Sequence, residues 1–182
     1  VLSYQQLWVQ ANAVAGYLAA RCDVAHGDRV LLMSQNCPQY VVAYYGVLLA
    51  GAAVVPVNAM TTRAELGYYV ANSGAKTIVA AQELLDQVLP CMAERGAQAG
   101  DEQLVHGIVI AYSDALQGLP EAELWPHMPA VVTEARQPVA DPRLAAVFID
   151  APLTPTNYLG FLLPADDADY LREMSFAWDL LD

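Results

Sequence analysis

The chain has 182 residues, a formal net charge of −12 and 56% hydrophobic residues. This length favours one domain, or one domain with an appendage, with enough apolar side chains for a sizeable core. The acidic balance argues against binding to nucleic acid or to anionic membrane surfaces, because both require cationic contacts. Residues 1–100 hold six acidic and five basic side chains, whereas residues 101–182 hold fourteen acidic and three basic ones, so the two halves differ in kind.

Cysteine usage bears on the cellular compartment. Cys22, Cys37 and Cys91 are few, odd in number and without metal-ligand spacing. With no recognisable signal peptide, they predict free thiols in a reducing compartment, and the expected location is the cytoplasm. The histidines are also widely separated, so no metal site is expected.

The first predicted element is a helix that runs to about Arg21. Ser3 and Gln6 have the spacing of a capping box, and apolar residues then recur at helical intervals. Trp8 is expected in the core. Several tyrosines are also expected to pack in the core with their hydroxyls at its edge, namely Tyr4, Tyr17, Tyr40, Tyr44, Tyr45, Tyr68 and Tyr69.

A long uncharged stretch follows, because no charged residue occurs between Arg29 and Arg63. Within it, Pro38 suits the first position of a helix and Gly51 the position just after its end. That helix would have about 14 residues and a length of roughly 21 Å, too short for about 30 Å of hydrocarbon. Residues 52–57 are β-branched and predict a buried strand. We therefore predict a buried helix inside a β-α-β unit, and no transmembrane segment.

Strands and helices continue to alternate up to about residue 113. Thr62 and Glu65 repeat the capping-box spacing and open a helix that Ser73-Gly74 stops. This alternation predicts an α/β fold with a mainly parallel sheet and helices on both faces. The predicted strands are 28–34, 52–57, 76–80 and 106–111, and a further helix is expected at 81–95.

Prolines interrupt the remainder of the chain so often that long regular elements are not expected there. We divide the chain into an α/β part, 1–115, and an acidic, proline-rich extension, 116–182. The extension ends in a predicted helix near 168–181, which is either a docking helix or an exposed amphipathic segment. Three acids around its first residue (Asp166, Asp167 and Asp169) favour a solvated helix start, where negative charge complements the helix dipole, over a cation site.

One stretch has a partial likeness to a phosphate-binding loop. Residues 73–77 read Ser-Gly-Ala-Lys-Thr, but Ala75 stands where such a loop needs glycine before Lys76. A helix end at Gly74, followed by a strand, is the favoured interpretation.

Four segments occur in a characteristic order. They are SYQQLWVQANAVAGYLAA at 3–20, GDRVLLMSQNCPQYVVAYYGVLLAGAAVVPVN at 27–58, MTTRAELGYYVANSGAKTIVA at 60–80 and IVIAYSDAL at 108–116. In this order and spacing, the first 115 residues or so resemble the N-terminal subdomain of adenylate-forming acyl-CoA synthetases, specifically the fatty-acid–CoA ligase type of the AMP-binding superfamily.

The resemblance implies an enzyme that activates a fatty or other carboxylic acid with ATP and Mg²⁺ to an acyl-adenylate and passes the acyl group to coenzyme A. Such chemistry needs a Ser/Thr/Gly-rich phosphate loop, an acid for the metal and a lysine. In the family these groups lie downstream of the matched region, and this chain has no such loop and no lysine after Lys76. We therefore assign no catalytic residue and no metal ligand, and we expect the chain alone to bind no cofactor and to be inactive.

Three residues are candidates for the border of an acyl pocket: Tyr40, Asn58 and Met60. A helix start and a strand exit can converge at one edge of a sheet, which is where ligands bind in such folds. A purely structural role is the alternative.

Two functional hypotheses follow. The chain is either the N-terminal portion of a fatty-acid–CoA ligase or a stand-alone, ligase-derived binding domain without catalysis. The expected partners are the remainder of the ligase or a second copy of the chain.

Overall fold

Five parallel strands organise the residues that the computed structural model describes, which are 2–93, 103–116 and 129–146. The strand order is β2-β1-β3-β4-β5. The strands are β1 (Arg29–Met33), β2 (Ala53–Val57), β3 (Thr77–Ala81), β4 (His106–Ile110) and β5 (Leu144–Ala146). The helices are α1 (Tyr4–Cys22), α2 (Pro38–Leu49), α3 (Arg63–Ser73), α4 (Leu85–Val88) and α5 (Ala130–Thr133). The predicted parallel α/β class is confirmed.

The two predicted capping boxes are both present. The Ser3 hydroxyl accepts a hydrogen bond from the Gln6 backbone N–H at 3.2 Å, and the Gln6 side chain accepts one from the Ser3 N–H at 2.8 Å. Thr62 and Glu65 form the same reciprocal pair at the start of α3. At the end of α3, Gly74 adopts a left-handed backbone with φ 62°, as a helix-ending glycine does.

The uncharged stretch folds as the predicted β-α-β unit. Pro38 occupies the first turn of α2, and Gly51, with φ 74°, turns the chain into β2. The Cys37 thiol caps the helix by accepting a hydrogen bond from the Tyr40 N–H at 3.3 Å. None of the described helices combines the length and the apolar character needed to span a membrane.

Helices cover both faces of the sheet. α1 packs against α2, and α3 packs against the α4 region. The connection β1-α2-β2 leads from β1 to the edge of the sheet, whereas β2-α3-β3 leads back in the opposite direction and crosses β1. Right-handed crossovers therefore place α2 and α3 on opposite faces. Strands β1 and β3 lie at the centre of the sheet and contribute fully buried side chains, including Leu31, Leu32 and Ile78.

The prediction of a buried strand at 52–57 was wrong. β2 pairs only with β1 among the described residues, and Ala53 and Pro56 are exposed. An edge strand also explains how Pro56 is tolerated, because a proline has no N–H to donate to a second neighbour. The apolar run indicated a strand correctly, but it carried no information about the position of that strand in the sheet.

The predicted helix at 81–95 was also wrong in extent. One α-helical turn, α4, lies between two 3₁₀ turns, Gln82–Leu84 and Leu89–Cys91. Pro90 lies in the second of these turns, where its ring and its missing N–H prevent a continuous helix.

Several aromatic side chains predicted in the core lie at the surface. Trp8 is 51% exposed and Tyr4 is 92% exposed. Tyr45, Tyr68 and Tyr69 are exposed as well. Helical periodicity places a residue on a face of its helix, but only the packing of neighbouring elements determines whether that face is covered.

Residues 129–146 add one short helix, α5, and a strand that the sequence did not predict. β5 pairs with β4 in parallel, with Ile108 opposite Ala145. The predicted helix near 168–181 and the acidic cluster before it lie outside the described residues. The division at residue 115 stays a prediction.

Candidate functional site

All five strands run in the same direction, so their carboxyl ends share one edge of the sheet. The chain leaves β1 for α2 on one face and leaves β3 for α4 on the other. The crevice between the ends of β1 and β3 is therefore the point where the winding direction reverses, which is the usual ligand site of open α/β sheets. Residues 34–37 and 82–83 border it.

Tyr112 spans this crevice from the end of β4. Its hydroxyl oxygen accepts a hydrogen bond from the backbone N–H of Gln35 at 2.9 Å. The buried Gln39 amide of α2 donates to the Ala111 carbonyl at 3.0 Å, so the segment 35–39 and the turn after β4 are joined by two hydrogen bonds. The crevice between β1 and β3 is thus bridged by the protein's own hydrogen bonds.

A second set of contacts covers the ends of β3 and β4. The Gln82 side chain donates to the Ala135 carbonyl at 3.2 Å and accepts from the Gln137 N–H at 3.0 Å. Arg136 forms an ion pair with Asp114, and the two side chains are only 10% and 3% exposed. Arg136 also donates to the Val109 carbonyl at 3.1 Å. These contacts hold residues 135–137 over the edge of the sheet.

The titratable groups of this edge favour hydrogen bonding over nucleophilic chemistry. Burial raises the pKa of Tyr112, and its hydrogen bond with Glu83 raises it further. Burial also raises the pKa of the Cys37 thiol, although the Tyr40 N–H opposes this effect. Both groups therefore stay protonated at neutral pH, and a protonated thiol is a poor nucleophile. Across residues 2–93, 103–116 and 129–146, no cluster of three or more His, Cys, Asp or Glu side chains could hold a metal ion.

The three predicted pocket residues lie at the carboxyl edge of the sheet, Tyr40 at the start of α2 and Asn58 and Met60 in the loop after β2. Tyr40 is half-buried in the first turn of α2, and its ring stacks on Tyr44 with centroids 6.4 Å apart. The Asn58 side chain is exposed and accepts a hydrogen bond from the Met60 N–H at 2.8 Å, which shapes the turn after β2. Met60 is 83% exposed. Within residues 2–93, no hydrogen bond or ring contact links Tyr40 to the other two.

Sequence reasoning missed the polar side chains that organise this edge. Gln82 directly follows β3, whereas Tyr112 and Asp114 lie two and four residues after the end of β4, and this position after strand ends was the available signal. Gln39 was hidden inside an apolar helix, and Arg136 lies in a segment where no regular element was expected. Their partners are distant in sequence, so composition and periodicity could not have identified them.

The stretch with a partial likeness to a phosphate loop has a structural role. Gly74 ends α3, and its carbonyl accepts a hydrogen bond from the Arg29 side chain at 3.2 Å. The strand begins at Thr77, directly after Lys76. These residues therefore form a helix end and a strand start, as predicted, and no loop that surrounds an anion.

Comparisons with known proteins show which family the chain resembles. Residues 1–149 match the family described as AMP-binding enzymes. The long-chain-fatty-acid–CoA ligases of Yersinia pestis and Escherichia coli O157:H7 are each 42% identical to this chain over 79 residues. The corresponding ligase of Bacillus subtilis is 38% identical over 79 residues. Each alignment covers 43% of this chain but only 14% of the relative, so the chain spans a small part of these relatives.

Solved structures show the same fold. An anthranilate CoA ligase, AuaEII, in complex with anthranoyl-AMP superposes with a TM-score of 0.51 at 25% identity, over 58% of this chain and 19% of the ligase. The N-terminal domain of FACL13 from Mycobacterium tuberculosis, solved with an inhibitor, also gives 0.51 at 25% identity, over 59% of this chain and 26% of that one. The family match reaches residue 149, well beyond the segments that carried the sequence resemblance. The chain belongs to the family of AMP-binding enzymes.

Proposed function

We propose that this chain is the N-terminal portion of a fatty-acid–CoA ligase. In this proposal, the whole protein activates a carboxylic acid with ATP to an acyl-adenylate and transfers the acyl group to coenzyme A. The observation that carries the proposal is the 42% identity to long-chain-fatty-acid–CoA ligases over 79 residues. The match of residues 1–149 to the AMP-binding enzyme family is consistent with it.

The described residues do not fit the triphosphate of ATP. A phosphate site needs a concave loop of backbone N–H groups with a nearby cation. The best sequence candidate, Gly74 to Lys76, instead begins at a helix end. There the Arg29 side chain donates hydrogen bonds to the backbone carbonyls of Ser73 and Gly74. We therefore assign no step of adenylation to these residues, and we propose that they form a scaffold for a site completed by other parts of the ligase.

The test is ATP–pyrophosphate exchange, measured on the purified 182-residue chain and on the intact product of its gene. Top-down mass spectrometry of that product from its source cells establishes its length first. We expect a mass several times the 19.6 kDa of this chain, exchange by the intact product with a fatty acid present, and no exchange by the chain alone. A native product of 19.6 kDa would instead favour a stand-alone, ligase-derived binding domain, and exchange by the chain alone would contradict the proposed division of labour.

We further propose that Tyr40, Asn58 and Met60 border the acyl pocket of the intact enzyme. Support comes from their position at the carboxyl edge, where Tyr40 lies at a helix start and the other two in a loop. The exposure of Asn58 and Met60 also leaves their side chains available to other parts of the ligase. Asn58→Trp and Met60→Trp in the intact ligase should shift the preferred acyl chain length. Tyr68→Trp is the control, because Tyr68 is an exposed aromatic residue on α3. Unchanged chain-length preference in both variants would remove Asn58 and Met60 from the pocket.

The cytoplasmic location stays a prediction from cysteine usage. Immunodetection of the native protein in fractionated cells would test it. The roles of Mg²⁺ and coenzyme A belong to the proposal for the intact ligase and are tested there, by omitting each one from the assay.

A further inference from the structure

A small cavity lies at the amino edge of the sheet, at the other end of the strands from the crevice between β1 and β3. Its lining residues come from the end of α1, the turn after it, and the starts of β1, β3 and β4. The cavity volume is about 200 Å³, below the roughly 300 Å³ of the smallest pockets for drug-sized ligands. The cavity therefore suits a small molecule.

Thr77, the first residue of β3, is the most deeply buried of the residues that line the cavity, at 1% exposed. Its hydroxyl oxygen forms no hydrogen bond with any of the described residues. A buried hydroxyl without a partner costs free energy, and native proteins hold few such groups. A valine has nearly the same shape and would suit a strand without that cost. The Thr77 hydroxyl therefore points to a ligand that supplies its partner.

The formal charges around the cavity cancel. Asp23 and Asp28 contribute two negative charges, and they are matched by the positive charges of two basic lining residues, Arg29 and Lys76. The Arg29 guanidinium already donates hydrogen bonds to the backbone carbonyls at the end of α3. An anionic ligand would meet two carboxylates and a cationic ligand two cations, so a net charge on the ligand gains little here. The lining favours a neutral ligand.

His106, at the start of β4, adds a second neutral hydrogen-bonding group to the lining. Burial lowers the pKa of His106, so its imidazole is mainly uncharged at neutral pH and offers one donor and one acceptor. The Thr77 hydroxyl likewise donates and accepts. Val24 and Val105 complete the lining with apolar side chains. This combination matches a small molecule with hydroxyl or amide groups on a short carbon frame.

A small molecule fits this cavity better than a segment of the remaining ligase. The chain spans only 14% of a relative such as the Yersinia pestis ligase, so other parts of the protein could lie over the opening. A packed surface there would close the cavity and leave the Thr77 hydroxyl without a partner, because Thr77 is buried whereas Asp23 is exposed. Only a group small enough to enter the cavity satisfies the hydroxyl.

We propose that this cavity binds a small neutral molecule with hydroxyl or amide groups, held by the Thr77 hydroxyl and the His106 imidazole. The site lies at the amino edge of the sheet, whereas the crevice between β1 and β3 lies at the carboxyl edge. Binding therefore requires neither ATP nor an acyl substrate. The proposal goes beyond the ligase activity and is tested independently of it.

Saturation-transfer difference NMR on the intact product of the gene is the test, with acetamide and glycerol as neutral probes and acetate and methylammonium as charged ones. We expect at least one neutral probe to bind, and both charged probes to bind at least tenfold more weakly. Thr77→Val should weaken binding of the neutral probe at least tenfold. Thr61→Val is the matched control, because Thr61 is also buried but follows β2 at the carboxyl edge.

Three outcomes would overturn the proposal. The first is that neither acetamide nor glycerol binds. The second is that the charged probes bind as tightly as the neutral one. The third is that Thr77→Val and Thr61→Val affect binding equally. A crystal structure of the intact product in which a downstream side chain fills the cavity would count against it in the same way.

Thermal melting of the same proteins tests the Thr77 hydroxyl without a ligand. Because the hydroxyl is buried and unpaired, Thr77→Val should leave the Tm unchanged or raise it. The neutral probe should raise the Tm of the wild type but not that of the variant. A Tm lowered by Thr77→Val would show that the hydroxyl has a partner within the protein, and the proposal would fail. ATP–pyrophosphate exchange should be the same in both proteins, which separates this site from the ligase activity.

Discussion

The phenol of Tyr112 and the backbone of Gln35 are joined by a hydrogen bond of 2.9 Å between residues 77 positions apart. Tyr112 follows β4, whereas Gln35 follows β1, and β3 lies between these strands in the sheet. The contact therefore fixes the spacing of two loops at the carboxyl edge, across the crevice where such folds bind ligands. In this chain, hydrogen bonds between the loops on its two sides cross the crevice.

Removing the Tyr112 hydroxyl should destabilise the fold. Tyr112→Phe leaves the ring in place but deprives the Gln35 N–H of its acceptor, at a cost of about 1–2 kcal/mol in the free energy of unfolding. Urea denaturation of both proteins measures the difference. Tyr68→Phe is the control, since Tyr68 is exposed on α3 and should tolerate the loss of its hydroxyl. Equal losses in the two variants would remove any special role for the Tyr112 bond.

The ion pair between Asp114 and Arg136 should behave as a buried pair. Arg136→Met leaves the Asp114 carboxylate buried without its cation, and we expect a loss of about 3 kcal/mol in the free energy of unfolding. Arg63→Met, at an exposed arginine, should change it by less than about 0.5 kcal/mol.

A double variant separates the pair from its neighbours. Asp114→Leu combined with Arg136→Met removes both charges, so part of the lost stability should return. If the double variant is as unstable as the sum of the two single variants, the side chains do not act as a pair.

Close packing of α1 on α2 depends on the absence of a side chain at Gly46. A Cβ atom there would lie 2.6 Å from the Cβ of Val14 and 3.0 Å from the Ala11 carbonyl oxygen. Gly46→Ala should therefore lower the free energy of unfolding by about 1–3 kcal/mol.

Gly67 provides the matched control within α3. An added Cβ would meet no heavy atom within 4 Å, so Gly67→Ala should raise stability by about 0.5–1 kcal/mol through the lower entropy of the unfolded chain. Thermal melting of both variants measures the contrast. The same sign for Gly46→Ala and Gly67→Ala would contradict the close approach of the helices.

Stability should fall on mild acidification through His106. Burial lowers the pKa of His106, and the nearby Asp23 carboxylate opposes this effect in part. Below the unfolded pKa of about 6.5, the unfolded chain then binds more protons than the folded one, so stability is lost as the pH falls.

The His106→Gln variant isolates this contribution from that of the carboxyl groups. Urea denaturation at pH 7.5 and 5.5 should show a smaller loss of unfolding free energy in the variant than in the wild type. Identical losses would show that His106 does not contribute to the pH dependence.

The sequence by itself determined the features that depend on a few neighbouring residues. Ser3 with Gln6, and Thr62 with Glu65, mark helix starts because the capping partners lie three residues apart and form wherever the helix forms. Pro38 and Gly51 bounded α2 for a similarly local reason. The regular alternation of strands and helices was sufficient for the parallel α/β class.

Only the tertiary structure decided which faces are covered and which distant residues meet. β2 was predicted to be buried and Trp8 to lie in the core, yet β2 is an edge strand with two exposed residues and Trp8 is half exposed, because apolar periodicity describes an element and not its neighbours. The contact of Tyr112 with Gln35 depends on strand order, which brings loops together that are far apart along the chain. The candidate site at the carboxyl edge of the sheet therefore depends on strand order. Its polar residues meet their partners only when the parallel strands place their carboxyl ends side by side.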